Sequence, residues 1–179
     1  MSRPSCDTSP RGSSSSRPWL ETPSRGPHLN VNPKSRGTYA LLLELHPEAL
    51  ITVGRLRAFC FPAGYYVYVG SALGSGGLAA RLARHRRRDK KLRWHIDYVL
   101  AHARIVGVKI DDSGERLECA WARALLSMPR AQVVARRLGS SDCACPSHLI
   151  YLGSSPRFCG DELDDVTLCH TKQQDARQP

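Results

Sequence analysis

The stretch Gly64–Arg88, "GYYVYVGSALGSGGLAARLARHRRR", constrains the fold of this chain more than any other. A tyrosine-rich run of strand length ends at Gly70, passes through "SALGSGG" and opens into a segment where Leu78 and Leu82 lie four apart with no breaker. That spacing predicts an amphipathic helix. The join is made of the smallest side chains, a loop-before-helix arrangement that lets an anion approach the backbone. It lacks the terminal Gly-Lys-Ser/Thr of a nucleotide P-loop, which argues against ATP binding. On the helix, Arg81 and His85 are four apart and project from one face toward the preceding loop. Arg84 and Arg88 repeat the spacing on a neighbouring face that suits contacts to a nucleic-acid backbone.

Around this join the chain reads as one domain, 37–155, between two tails. Residues 1–36 are rich in Ser, Pro, Arg and Gly, cannot bury enough surface to offset ordering entropy, and are expected to be disordered. At Gly37 the character changes to "GTYALLLEL", with Tyr39, Leu41, Leu43 and Leu45 on one strand face and Ala40, Leu42 and Glu44 on the other. "ITVGRLRAFCFPAG" supplies a second extended segment broken by Gly54, and with "YYVYVG" it predicts an antiparallel meander of three strands. "RWHIDYVLAHA" carries Ile96, Val99, Leu100 and Ala103 at helical spacing, and "RIVGVKI" reads as a strand. "DDSG" then offers N-cap candidates for a helix over 115–128, with a buried stripe of Leu117, Ala120, Trp121, Ala124, Leu125 and Met128. "SHLIYL" closes the domain as a short strand, and 156–179 is a polar tail. The expected fold class is α+β, a small and mainly antiparallel central sheet flanked by helices.

The 179 residues carry a net charge of +10, and most of that excess is local. Between Arg81 and Arg93 eight basic residues face only Asp89, a net +7. Such a stripe makes nucleic acid the first partner to consider, with Arg84, Arg86, Arg87, Arg88, Lys90 and Lys91 as binding residues. No apolar run approaches the roughly 20 residues needed to cross a bilayer, and the basic N-terminus lacks the apolar stretch of a secretory signal. A cytoplasmic location without membrane contact is expected. The seven cysteines show no regular spacing and read as no disulfide framework, with Cys60 and Cys119 as small buried hydrophobes bearing free thiols.

Glu118 lies beside the predicted buried stripe, where a carboxylate is costly unless it is paired or holds a cation. The ordered set of "GTY", "YVG", an Arg with a His four residues on, and a lone Glu on a later helix resembles the GIY-YIG nuclease superfamily. More closely, "GYYVYVGSALGSGGL", "WHIDYVL" and "GSSDCACPSHLIY" are similar to the branch known as a domain of unknown function, sometimes found beside an endonuclease-III-type glycosylase. The resemblance implies active-site tyrosines at Tyr39 and Tyr68, with Gly70 and Ser71 as active-site backbone. It places Arg81 on the scissile phosphate, His85 in proton transfer or holding the attacking water, and Glu118 on one divalent cation, Mg2+ or Mn2+. The implied activity is metal-dependent hydrolysis of phosphodiester bonds in DNA rather than RNA, in repair or processing of structured DNA, with a repair glycosylase as possible partner. The alternative is a nucleic-acid-binding accessory module that cuts little or nothing. The segment between "GTY" and "YVG" is longer than the superfamily's hairpin, so an extra strand or loop has to fit without separating the tyrosines. Cys143, Cys145 and His148, with His95 and Asp97, offer donors for Zn2+. The Cys-x-Cys spacing differs from a Cys-x2-Cys knuckle and only one pair is present, so packing and hydrogen bonding beside the active site is the first expectation for them.

Overall fold

A computed structural model describes residue 32 and residues 34–154 of the chain. Nearly all of both expected tails, and with them Cys6, Cys159 and Cys169, lie outside the described residues. The elements are β1 (Gly37–Leu45), β2 (Ala49–Val53), β3 (Arg57–Phe61), β4 (Gly64–Ala72), α1 (Gly77–Arg86), α2 (His95–Leu100), β5 (Arg104–Asp111), α3 (Glu118–Leu126) and β6 (Leu149–Gly153). They make an α+β fold around an antiparallel sheet in the order β5-β1-β4-β6.

The alternation in β1 decides the layering. Tyr39, Leu41, Leu43 and Leu45 enter a core shared with Leu78 and Leu82 of α1 and Ile96 and Val99 of α2. Ala40 and Leu42 point the opposite way, into a core with Trp121, Ala122 and Leu125 of α3. Leu41 and Leu43 are fully buried, and each such side chain contributes about 1.5–3 kcal/mol relative to exposure. Tyr66 joins the first core and Tyr65 packs on the second, one tyrosine to each face of β4.

Three expectations are corrected here. The meander is replaced by a four-stranded sheet and a separate two-stranded one, β2-β3, turning at Gly54 with φ +49°. Ile51, Val53, Phe59 and Phe61 on the inner face of that hairpin cover the first core, so the insert folds over the sheet instead of extending it. Tyr39 and Tyr68 therefore stay together despite the long connection, with ring centroids 6.4 Å apart. In α3 the buried residues are Glu118, Trp121, Ala122 and Leu125, whereas Ala120 and Ala124 are exposed. The stripe is rotated toward the carboxylate because the helix end borders a polar cleft. Cys60 sits half-buried on β3, opposite the exposed Leu50, and enters a disulfide rather than remaining a buried free thiol.

No side chain of "DDSG" caps α3. Instead the fully buried Thr38 of β1 holds its start: Thr38 Oγ1 donates to the Glu115 carbonyl at 3.0 Å and accepts from the Leu117 amide at 2.9 Å. The residue before Tyr39 thus clamps the residue before Glu118.

Candidate functional site

Strand β6 pairs with β4 only between Tyr65 and Tyr68, and the Val69 amide adds one bond to the His148 carbonyl at 2.9 Å. Gly70 and Ser71 lie past that point, still paired with β1 but not with β6. This notch lets the two faces of the sheet meet. Tyr39 and Tyr68 come from the face under α1, Glu118 comes from α3 on the other, and all three line one cleft of about 330 Å³ together with Gly70, Ser71 and Arg81. No such convergence follows from the spacing of these residues in the chain.

Tyr39 is opposite Gly70 in the register, and its ring lies over the glycine. A Cβ on Gly70 would stand 2.5 Å from Tyr39 Oη and 2.7 Å from Cζ, so the absent side chain makes the room the phenol occupies. Tyr39 Oη and His85 Nε2 share a 2.8 Å hydrogen bond. Burial lowers the His85 pKa to about 3, with Lys90 adding to the effect, so the ring is neutral at neutral pH. Burial also pushes Tyr39 well above the usual phenol value, and Tyr68 up to about 12, against the lowering influence of Arg81. His85 is 3% exposed and does not line the cleft. Its contact with the cleft runs through the Tyr39 phenol.

The basic segment divides sharply. Trp94 is flanked by two guanidinium groups, Arg81 at 4.4 Å and Arg84 at 3.7 Å from its ring centroid. Arg84 also makes a bidentate pair with both Asp97 oxygens at 2.8 Å, and Lys90 approaches the same carboxylate at 3.4 Å. The amides of Arg93 and Trp94 each donate to Asp97 at 3.0 Å. Burial alone would raise the Asp97 pKa, but Arg84 and these two amides outweigh it and hold the group well below the carboxylate range. Arg84 and Lys90 are therefore committed inside the protein. Arg81 makes no hydrogen bond or ion pair among the described residues, and its fork is available to the cleft. Arg86, Arg87 and Arg88 border a separate groove against β5, and Lys91 is exposed.

Glu118 is 7% exposed, and its Oε2 is buried without a hydrogen-bond partner among the described residues. Its neighbour Arg116 stands 4.0 Å from Oε1 and 3.9 Å from Asp142, and is itself largely solvent-exposed. A long contact to an exposed guanidinium contributes little. A buried carboxylate with an unpartnered oxygen, on a residue that lines a polar cleft, fits a hard divalent cation, and Asp142 in the same cleft offers a second oxygen donor.

The sulfur-bearing cluster is built differently from the expected set. Cys143, Cys145 and His148 converge with Cys119, their ligand atoms all within 4.8 Å of one another. His95 and Asp97 belong elsewhere. His95 Nδ1 accepts from the Gly139 amide at 3.4 Å, and Asp97 is saturated by Arg84, Lys90 and two amides. The small-residue loop is also displaced from its expected role. Among "SALGSGG" only Ser71 lines the cleft, while the Gly77 and Leu78 amides donate to the Gly74 and Ser35 carbonyls.

Sequence reasoning missed Thr38, Trp94, Asp142, Gly139 and the place of Cys119 beside Cys143, Cys145 and His148. Gly139, at φ +75°, brings its backbone against Tyr68, where a Cβ would meet Cε2 at 2.9 Å. The aromatic Trp94 between basic residues in "RWHID" was a readable signal for a guanidinium platform. The others act through contacts between distant segments. A family model described as "Domain of unknown function DUF123" matches residues 38–167. No match was found among curated proteins or among solved structures.

Proposed function

This chain belongs to the family described as a domain of unknown function, DUF123, and from that premise we propose that it is a metal-dependent nuclease hydrolysing phosphodiester bonds in DNA. One observation carries the reading: an unpaired arginine fork, two protonated tyrosines and an orphaned buried carboxylate face one cleft of about 330 Å³. The ordered resemblance to GIY-YIG nucleases supports it.

Each group has a role that its environment permits. Arg81 engages two non-bridging phosphate oxygens, because a planar fork matches that geometry bidentately. Tyr68, kept protonated, donates a hydrogen bond to phosphate or water. With Nδ1 of His85 carrying the ring proton, Nε2 accepts from the Tyr39 phenol and leaves its oxygen lone pairs toward the cleft. Tyr39 Oη then accepts a hydrogen bond from the attacking water and orients it, the water's proton leaving to solvent as its oxygen bonds to phosphorus. Glu118, with Asp142 nearby, holds the divalent cation. When bound, that cation supplies positive charge at the phosphoryl and leaving oxygens.

Incubation with nicked, flapped, branched and base-damaged DNA in Mg2+ or Mn2+ tests the reading. Wild type should cut at least one of these, and Glu118→Ala or Arg81→Ala should lower the rate by about 10²–10³-fold, the size typical for loss of an electrostatic stabiliser. Identical products from wild type and Glu118→Ala would refute it.

A second reading, a DNA-binding module that does not cut, is favoured by the same pKa shifts: Tyr39 and His85 both titrate far from neutral pH. Salt-dependent DNA binding that survives Glu118→Ala, with turnover by neither protein, would select it.

A further inference from the structure

We propose that Cys119, Cys143, Cys145 and His148 form a structural zinc site that clamps the Glu118-bearing end of α3 to the loop before β6. The site stands apart from the nuclease reading, since zinc can be measured without DNA.

Geometry argues first. A tetrahedral Zn2+ with bonds of about 2.3 Å to sulfur and 2.0–2.1 Å to nitrogen sets sulfur–nitrogen edges near 3.5 Å and sulfur–sulfur edges near 3.8 Å. His148 Nε2 lies 3.4 Å from Cys143 Sγ and 3.9 Å from Cys119 Sγ, and all four donor atoms fall within 4.8 Å of each other. Thiols packed only as small hydrophobes have no reason to turn three sulfurs and one ring nitrogen toward a common point. Three thiolates and an imidazole are soft donors, which select zinc over the magnesium or manganese suited to the oxygens of Glu118 and Asp142. Four protein ligands leave no open position, so the site is structural rather than catalytic.

The surroundings hold the donors in place before a metal arrives. Arg137 donates to the carbonyls of Cys143 at 2.6 Å and Ser141 at 2.9 Å. The His148 amide donates to the Leu138 carbonyl at 2.9 Å, and Ser147 Oγ accepts from the Leu149 amide at 3.0 Å. Cys145 and His148 are 7% and 3% exposed, while Cys119 and Cys143 are half-buried.

The position of the cluster gives it a consequence. Cys119 follows Glu118 directly on α3, and Asp142 and His148 both line the cleft from the loop that carries the other ligands. One ion therefore joins the carboxylate's helix to the loop forming the opposite part of the same wall. Loss of zinc should loosen that wall while leaving the Tyr39–His85 side in place.

The test uses the full chain purified under reducing conditions with zinc supplied. Elemental analysis should find stoichiometric zinc. Replacement by Co2+ should give the visible bands of a tetrahedral site with thiolate-to-cobalt charge transfer. Cys119→Ser should weaken zinc binding by more than the roughly 100-fold that loss of an outer-sphere partner costs, whereas His95→Ala and Glu118→Gln should retain stoichiometric zinc. Because a ligand variant can misfold, alkylation of wild type mapped by mass spectrometry supplies an independent readout. Cys119, Cys143 and Cys145 should be protected until a chelator is added. Only trace zinc, iron or copper in its place, no thiolate band with cobalt, or retention by Cys119→Ser with loss in His95→Ala would each overturn the site.

Discussion

The two walls of the cleft are built on opposite principles. On the α1–α2 side most polar groups complete one another: Asp97 receives Arg84, Lys90 and two backbone amides, and Tyr39 meets His85, although His85 Nδ1 is left without a partner among the described residues. On the α3 side donors are left over, with Glu118 Oε2 unpartnered and four sulfur and nitrogen ligands gathered around a common point. A buried charge is tolerated when its hydrogen bonds close inside the protein, as at Asp97; where they do not close, a further ligand is required. The buried charge of the first wall is satisfied by the chain itself. The second leaves donor atoms that the proposed ions would complete.

The largest test of that contrast compares two buried carboxylates. Asp97→Asn strands Arg84 and Lys90 and should cost about 3–5 kcal/mol in urea unfolding. Glu118→Gln removes a charge with little compensation and should be neutral or mildly stabilising under the same conditions. Equal losses would break the distinction between the walls.

The next effect concerns His85, whose folded pKa of about 3 lies below its ordinary 6.5. Between those values the unfolded chain binds a proton that the folded chain refuses, so stability falls as pH falls through the window and is unaffected above it. At about pH 4.5 the loss from this group is about 2–3 kcal/mol. His85→Gln should flatten the wild-type decline by that amount in unfolding curves collected from neutral to acid pH.

Gly70→Ala places a Cβ 2.5 Å from Tyr39 Oη, and His85 behind the phenol limits its retreat. Overpacking of this kind costs about 1–3 kcal/mol, and thermal unfolding together with DNA cleavage should fall in parallel. The smallest effect belongs to solvent-exposed charge. Arg87 and Arg88 replaced together by Ala should leave stability unchanged and reduce the salt slope of DNA binding by roughly 0.9 for each phosphate no longer neutralised. An unchanged slope in fluorescence titrations would remove this groove from the binding face.

Much of the fold was legible in the residues because it depends on local period. The alternation from Tyr39 to Leu45 assigned both faces of β1 correctly, and Leu78, Leu82, Ile96 and Val99 appear in the core that their spacing implied. The α3 stripe was misplaced by one flank. Apolar spacing favours Ala120 and Ala124 outright, and cannot register that Glu118 is tolerated inside by facing a cleft. The hairpin was misread because a break at Gly54 looks the same whether the chain extends a sheet or folds over it.

The candidate site was legible as a set of residue types and not as an arrangement. Tyr39, Tyr68, Arg81 and Glu118 share one cleft, yet the notch that admits Glu118 arises from where β6 stops pairing. Along the helix Arg81 and Arg84 are told apart only by the face they occupy, and it is Asp97, on α2, that separates an available charge from a committed one. What the sequence by itself determined is the alternation of strands and helices and the residue types available, since side-chain direction follows from period over a few positions. What only the tertiary structure decided is which charges are already satisfied, and that Cys119 rather than His95 or Asp97 joins the thiol cluster. Ion pairing and ligand convergence act through space at a few ångströms, a distance that separation along the chain does not set.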